Sequence, residues 1–194
     1  GCWVIAHECG HHAFHPNRRI EGGVGFALHS ILLVPYYSWA HSHAVHHAHC
    51  NHLEKGETHV PPRATSPLGQ TTEQLKQNLH PVVFGIISLF NHLVIGWQLY
   101  LFFGATGGEE YDSPTSHFWN GKRITNGKRR LFPETFKKWM VRSNLGLLAM
   151  VSFLIAASIQ YSPLRVFCLY GLPYMAINMW LTTYTWLQHT NSDI

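Results

Sequence analysis

Three long stretches of this chain carry no Asp, Glu, Lys or Arg: residues 77–108, 143–164 and 166–192. A helix that crosses a bilayer needs roughly 20 mostly apolar residues, so each stretch is long enough to span. A fourth apolar piece, residues 26–37, is shorter and is interrupted by His29 and Pro35. That pattern places it in the membrane interface or re-entering from one side. The expected fold is all-α: an integral membrane helical protein with a transmembrane hairpin preceded by interfacial helices. A single domain, 1–194, accounts for the length.

Basic residues orient these pieces. Eight of the fourteen Lys and Arg lie between positions 109 and 142, and Arg18, Arg19, Lys55, Arg63 and Lys76 lie before it. Only Arg165 falls between the last two apolar stretches. Short basic segments stay cytoplasmic, so the first 76 residues and the 109–142 loop share the cytoplasmic side, and Arg165 marks the other. Stretch 77–108 then has the same side at both ends and should cross zero times or twice, with Asn91 and His92 at its middle arguing against one plain span. The last two stretches form an out-and-back hairpin that returns Gln188 and His189 to the cytoplasmic surface.

Charged residues make up 12% of the chain and hydrophobic ones 46%. The net charge of +4 does not point to nucleic acid, because the basic residues form no aromatic-interleaved stripe. They gather in one loop, as a flank attracted to anionic lipid or, through Lys122, Arg123, Lys128, Arg129 and Arg130, as a dock for an acidic partner. Cys2, Cys9, Cys50 and Cys168 are scattered with no CxxC pair, so neither a disulfide framework nor a cysteine zinc site is suggested. The chain opens on Gly1 inside an apolar run and stops at Ile194 shortly after a histidine, so a piece of a longer protein is expected.

Histidine carries the chemistry. Twelve of the sixteen histidines fall within the first 59 residues. Among them His7-Glu8-Cys9-Gly10-His11 and His43-Ala44-Val45-His46-His47 have spacings of three and four, which share one helix face. Neutral imidazoles converging from two helices make a transition-metal site. Five histidines exceed the needs of one tetrahedral zinc, so two metal ions are the more natural count. His12, His15, His41, His49, His52 and His59 are secondary candidates around it. The first set also matches HExxH, in which two histidines hold zinc and Glu8 is the general base. That reading leaves His43, His46 and His47 without a role, and Phe14 stands where the longer motif needs glycine. A non-enzymatic metal or haem carrier is a third class.

The stretch Ala6-His-Glu-Cys-Gly-His-His-Ala-Phe14 resembles the first histidine box of membrane-bound fatty acid desaturases, most closely those acting on oleoyl or linoleoyl chains (delta-12 and omega-3). Leu28-His-Ser-Ile-Leu-Leu-Val-Pro-Tyr-Tyr-Ser-Trp39 is similar to the family's link to its second box. His43-Ala-Val-His46-His47 matches that box, HxxHH. Thr185-Trp-Leu-Gln-His-Thr190 resembles the segment leaving the last membrane helix. The resemblance implies a cytoplasmic-facing non-haem di-iron site, with His7, His11, His43, His46, His47 and His189 as iron ligands. It implies an oxidoreductase that takes two hydrogens from an acyl-lipid chain, oleoyl to linoleoyl, using dioxygen and two electrons. Those electrons come from cytochrome b5 or ferredoxin, in the endoplasmic reticulum or a plastid membrane. A related hydroxylase or acetylenase shares the scaffold. The family's third box, a further HxxHH, is not within these 194 residues, so the resemblance also implies that they alone do not turn over substrate. Ala44-Val45 replaces the basic pair of many plant members, and Asn191 stands where some relatives have another histidine.

Overall fold

A computed structural model describes residues 1–50, 52–104, 107, 108, 110, 111, 115–119 and 130–189. Lys122, Arg123, Lys128 and Arg129 of the basic loop lie outside these, whereas Arg130 pairs with Glu134.

Helices α1 (Cys2–Gly10), α2 (Arg18–Ile31) and α3 (Tyr36–Ala48) form a compact unit at the N-terminus. Local sequence fixes their ends. The Asn17 side chain accepts from the Arg19 N–H at 2.9 Å, a cap that satisfies one of the free amides at the start of α2. Pro35 precedes α3, and Leu33 takes a left-handed φ of 53° to turn the corner between α2 and α3. The apolar piece 26–37 is therefore the α2–α3 corner.

A short polar helix, α4 (Pro67–Asn78), follows, capped by Ser66 with Pro67 in its first turn. Then α5 (Pro81–Phe90), a five-residue π-turn (Asn91–Ile95) and α6 (Gly96–Phe103) run on as one helix of 23 residues, Pro81–Phe103. At 1.5 Å per residue it is about 34 Å long. Stretch 77–108 thus builds one continuous helix rather than a pair, and by length and composition it is long and apolar enough to cross. The π-turn absorbs the polar pair: His92 Nδ1 donates to the Ser88 carbonyl at 2.8 Å, and its ring stacks on Trp186 at 5.0 Å. Gly104, at φ 57°, closes the helix in the left-handed conformation glycine adopts without strain.

Helix α7 (Lys137–Tyr161) continues from a short 3-10 turn at Glu134–Phe136, and Glu134–Tyr161 is the second helix long and apolar enough to cross. Its basic first turns sit at a Trp139 ring that carries Arg142 at 4.6 Å and packs on Tyr37 at 4.8 Å. Ser162 and Pro163 break the chain into α8 (Pro163–Val166), a π-turn at Phe167–Gly171 and α9 (Leu172–His189). Helix α9 packs antiparallel along the 91–98 stretch: Trp186 lies on His92, Thr182 opposite Gly96, and Asn178 at Gln98.

The core lies where these units meet. Val34, Trp39, Trp97 and Leu101 are buried together, with Trp3, Tyr100, Phe118 and Leu181 packed around them. Leu131, Phe132 and Met140 form a second cluster beside it. Most large apolar side chains of α5, α7 and α9 face outward instead, Ile86, Phe153 and Trp180 among them, as the surface of a lipid-facing helix does.

Two close approaches set the bundle. Gly25 lets the Tyr36 ring lie directly on α2, and Gly146 lets α7 approach Ser30 and Phe26. Gly25→Ala should lower stability by about 1–3 kcal/mol through overpacking. Gly23→Ala, with open space around its Cβ, should raise it by up to about 1 kcal/mol through helix propensity. Thermal unfolding of the two purified full-length variants checks the opposite signs.

Candidate metal centre

Spacing on two short helices brings four imidazoles to one point. On α1, His7 and His11 are one turn apart; on α3, His43 and His47 are one turn apart. Their Nε2 atoms meet: His7 to His11 at 3.2 Å, His7 to His43 at 2.9 Å, His11 to His43 at 3.0 Å and His43 to His47 at 3.1 Å. All four ligand atoms lie within 4.8 Å of one another. A tetrahedron with metal–nitrogen bonds of about 2.05 Å has edges of about 3.3 Å, so the donor set has the size a first-row ion requires. His11 and His47 are exposed, which leaves one side of the group open.

Neighbouring side chains hold the rings in a metal-ready state. His7 Nδ1 donates to Glu8 at 2.9 Å, so its Nε2 lone pair faces the group. A carboxylate that orients a ligating imidazole in this way is the usual outer partner of a metal site. Trp39 stacks on His43 at 4.5 Å and 20°. Burial, then the neighbouring imidazoles, push His43 down to about 2, and the same causes lower His11. Both rings are neutral at physiological pH and offer lone pairs.

The other expected residues fall elsewhere. His46 is buried beside the group rather than within it: its ring is 6.0 Å from His43, 5.6 Å from His47 and 5.8 Å from His59, with Cys50 Sγ at 3.8 Å from its Nε2. His189 ends α9, eight residues beyond Leu181, which reaches the core under Trp39. Its side chain lies outside the described residues. His41 bonds the Leu131 carbonyl at 2.9 Å, His49 the Val45 carbonyl at 3.2 Å, and His52 accepts from the backbone N–H groups of Glu54 and Lys55. Glu8 is taken up by the outer edge of His7, and Glu57 is buried in a separate network. Glu57 is thus not placed as a third zinc ligand, and four converging imidazoles exceed the pair that the HExxH pattern supplies.

One organising residue escapes the histidine pattern. Glu21, at 1% exposure, accepts from His12 Nδ1 (2.9 Å), Arg18 (3.0 Å), Phe14 N–H (3.1 Å) and His15 N–H (3.3 Å). It ties down the turn directly after His11, where His12 adopts φ 63°. The sequence held one signal for it: Glu21 is the only acidic residue between Glu8 and Glu54. Burial raises its carboxyl, but the hydrogen bonds from His12, Arg18, His15 and Phe14 outweigh that and hold it at about 2.

Apolar helices of membrane-crossing length, joined to a bundle whose end gathers four imidazoles, define a membrane-type helical protein with a histidine cluster that could hold a metal ion. The family model described as fatty acid desaturase matches residues 1–193, and the chain belongs to that family. It is 36% identical over 194 residues to a Delta(12)-fatty-acid desaturase of Arabidopsis thaliana, covering 100% of this chain and 47% of that protein. A Delta(12) fatty acid desaturase of Mortierella isabellina is 36% identical over 206 residues, covering 100% and 49%. An omega-6 fatty acid desaturase, endoplasmic reticulum isozyme 1, of Glycine max is 37% identical over 191 residues, covering 98% and 46%. The chain thus spans about half the length of these relatives. No solved structure matches it.

Because the Glu21 carboxyl is lowered from 4.5 to about 2, its stabilisation is complete above about pH 4.5 and is lost as pH falls towards 2. Glu21→Gln should flatten the acid side of the stability–pH curve and leave the neutral side lower throughout. Thermal unfolding between pH 3 and 7 (roughly the window of that titration) measures both.

Proposed function

We propose that the protein of which these residues form part is an acyl-lipid desaturase that introduces a double bond into a membrane fatty acyl chain, converting oleoyl to linoleoyl. The convergence of four Nε2 atoms from α1 and α3 within 4.8 Å, in a chain of the desaturase family, carries this reading. His7, His11, His43 and His47 are the iron ligands, with His46, His189 and groups outside this chain completing a second iron. Bound iron supplies the dioxygen activation that breaking unactivated methylene C–H bonds requires. The overall reaction removes two hydrogens from adjacent methylenes and consumes one dioxygen, two electrons and two protons, leaving two waters. A one-electron carrier, cytochrome b5 or ferredoxin, supplies the electrons.

The chain's own residues do the positioning. Glu8 fixes the His7 tautomer, and Glu21 fixes the turn behind His11. Trp39, backed by Trp3 at 4.9 Å and Trp97 beyond it, walls the inner side of the imidazole group with apolar rings. Such a wall keeps water from the buried face. The outward apolar faces of α5–α6 and α7 place that wall next to lipid, where the acyl chain resides. The similar omega-6 desaturases of Glycine max and Brassica juncea are named for the endoplasmic reticulum, and that membrane is the proposed location here.

The test is the completed gene expressed in a yeast that makes no polyunsaturated lipid, with fatty acids read by gas chromatography. A new linoleate peak is expected; a hydroxylated or acetylenic product would transfer the reading to those reactions, and no new product would overturn it. A companion measurement is metal content. Purified full-length protein should hold about two irons per chain, and His43→Ala should lose more than the 10–100-fold in affinity that changes to outer partners cost.

A further inference from the structure

Behind the metal helix lies a buried polar chain that the metal site does not use. Ser42, one residue before His43 and on the inner side of α3, is fully buried. Its Oγ donates to the Trp39 carbonyl at 3.0 Å and lies 2.9 Å from the Tyr100 hydroxyl and 2.8 Å from His117 Nε2. Tyr100, near the end of the long apolar helix, lies 3.2 Å from Glu57 Oε2. His117 and Glu57 are themselves at 0% and 3% exposure, their nearest atoms 3.9 Å apart. Four segments distant in sequence meet here: α3, the loop after it, α6 and residues 115–119.

Counting protons gives the chain a direction. Three contacts join the four groups, and each needs one hydrogen. Tyr100 and Ser42 bring one each. His117 Nδ1 donates to the Leu101 carbonyl at 3.1 Å, so a neutral His117 has only a lone pair at Nε2. The single Ser42 hydrogen faces the Trp39 carbonyl and His117 Nε2, both acceptors, so the Tyr100 hydrogen serves the contact to Ser42 and the third hydrogen sits on the Glu57 carboxyl. We propose that Glu57 is held as a neutral carboxylic acid and heads a one-way hydrogen-bond chain, Glu57 to Tyr100 to Ser42 to His117, that positions α3 and its metal-facing histidines against the membrane helix. An ionised Glu57 would draw the Tyr100 hydrogen to itself, and the one Ser42 hydrogen would then have three partners to serve: Tyr100, Trp39 and His117.

The environment agrees with that placement. Burial pushes Glu57 up to about 8. Burial lowers His117 to about 4, with His41 adding to the effect. Among the described residues the titratable groups facing Glu57 are Tyr100 and His117, and no cation is paired with it. Removing the hydrogen leaves an unpaired buried carboxylate, which costs far more than a neutral acid. Between about pH 4.5 and 8 the folded chain holds a proton that the unfolded one has released, so stability falls as pH rises through that window. These residues act through Ser42 on the helix that carries His43 and His47, and are positioning residues.

Two readouts on full-length protein test this, and neither requires desaturation. In the infrared difference spectrum of wild type minus Glu57→Gln, the carbonyl band of a buried un-ionised acid should be present at pH 7 and vanish above about pH 8. Iron(II) retention should weaken roughly tenfold or more in Tyr100→Phe and Ser42→Ala, the scale of lost outer support. Glu57→Gln, whose amide also donates, should retain iron with no alkaline loss. Absence of the acid band, unchanged iron retention in Tyr100→Phe and Ser42→Ala, an alkaline limb persisting in Glu57→Gln, or failure of Glu57→Gln to fold at pH 7 would each overturn the proposal. The positioning half rests on the metal-centre reading. A protein that shows the acid band but makes no linoleate fails as a desaturase and not here.

Discussion

Lone pairs aimed at one another across about 3 Å repel unless a cation or a proton lies between them. That constraint governs this structure. His7 gives its Nδ1 hydrogen to Glu8, which turns an Nε2 lone pair towards His11 and His43. Burial and mutual repulsion keep His43 and His11 from protonating. The folded chain must therefore hold in place a group of nitrogens that do not stabilise one another, and much of the surrounding architecture does this. Glu21 clamps the exit from α1, Trp39 braces His43, and the Ser42 network anchors the back of α3.

Two kinds of environment are joined to make this possible. The helices α5–α6, α7 and α9 present apolar side chains outward and leave few polar contacts between them. The N-terminal unit is small, rich in buried polar groups and tied by side chains to backbone. Tyr100 and Leu101 link the two, since one end of the long apolar helix supplies both the hydroxyl bonded to Ser42 and the carbonyl accepting from His117. The proposed function calls for this kind of joint, in which the apolar segment sets depth while the polar unit sets ligand geometry.

The hydrophobic pattern made the long helices legible, because runs without charge are unambiguous at this length. The two histidine sets were legible because helical spacing is rigid: His7 with His11, and His43 with His47, fall where spacing puts them. The same rule grouped His46 with His43, yet His46 turns towards His59 and Cys50. A three-residue step rotates a side chain farther round the helix than a four-residue step aligns it, and packing decides which neighbour it meets. The continuity of the helix at 81–103 was hidden because Asn91 and His92 interrupt the apolar run and no sequence pattern marks the π-turn that carries them. Glu57, Ser42, Tyr100 and His117 were hidden for a different reason. They are isolated residues of common type, joined only by tertiary contact, and no periodicity marks them.

X-ray absorption at the iron edge of the full-length protein, compared with a His7→Ala/His47→Ala double variant, tests the shared imidazole site most directly. The wild-type spectrum should show a first shell dominated by nitrogen with the outer-shell scattering of imidazole rings, and the double variant should lose a clear share of both. An unchanged spectrum in the double variant, or a wild-type shell without imidazole scattering, would contradict the convergence of α1 and α3 on one metal centre.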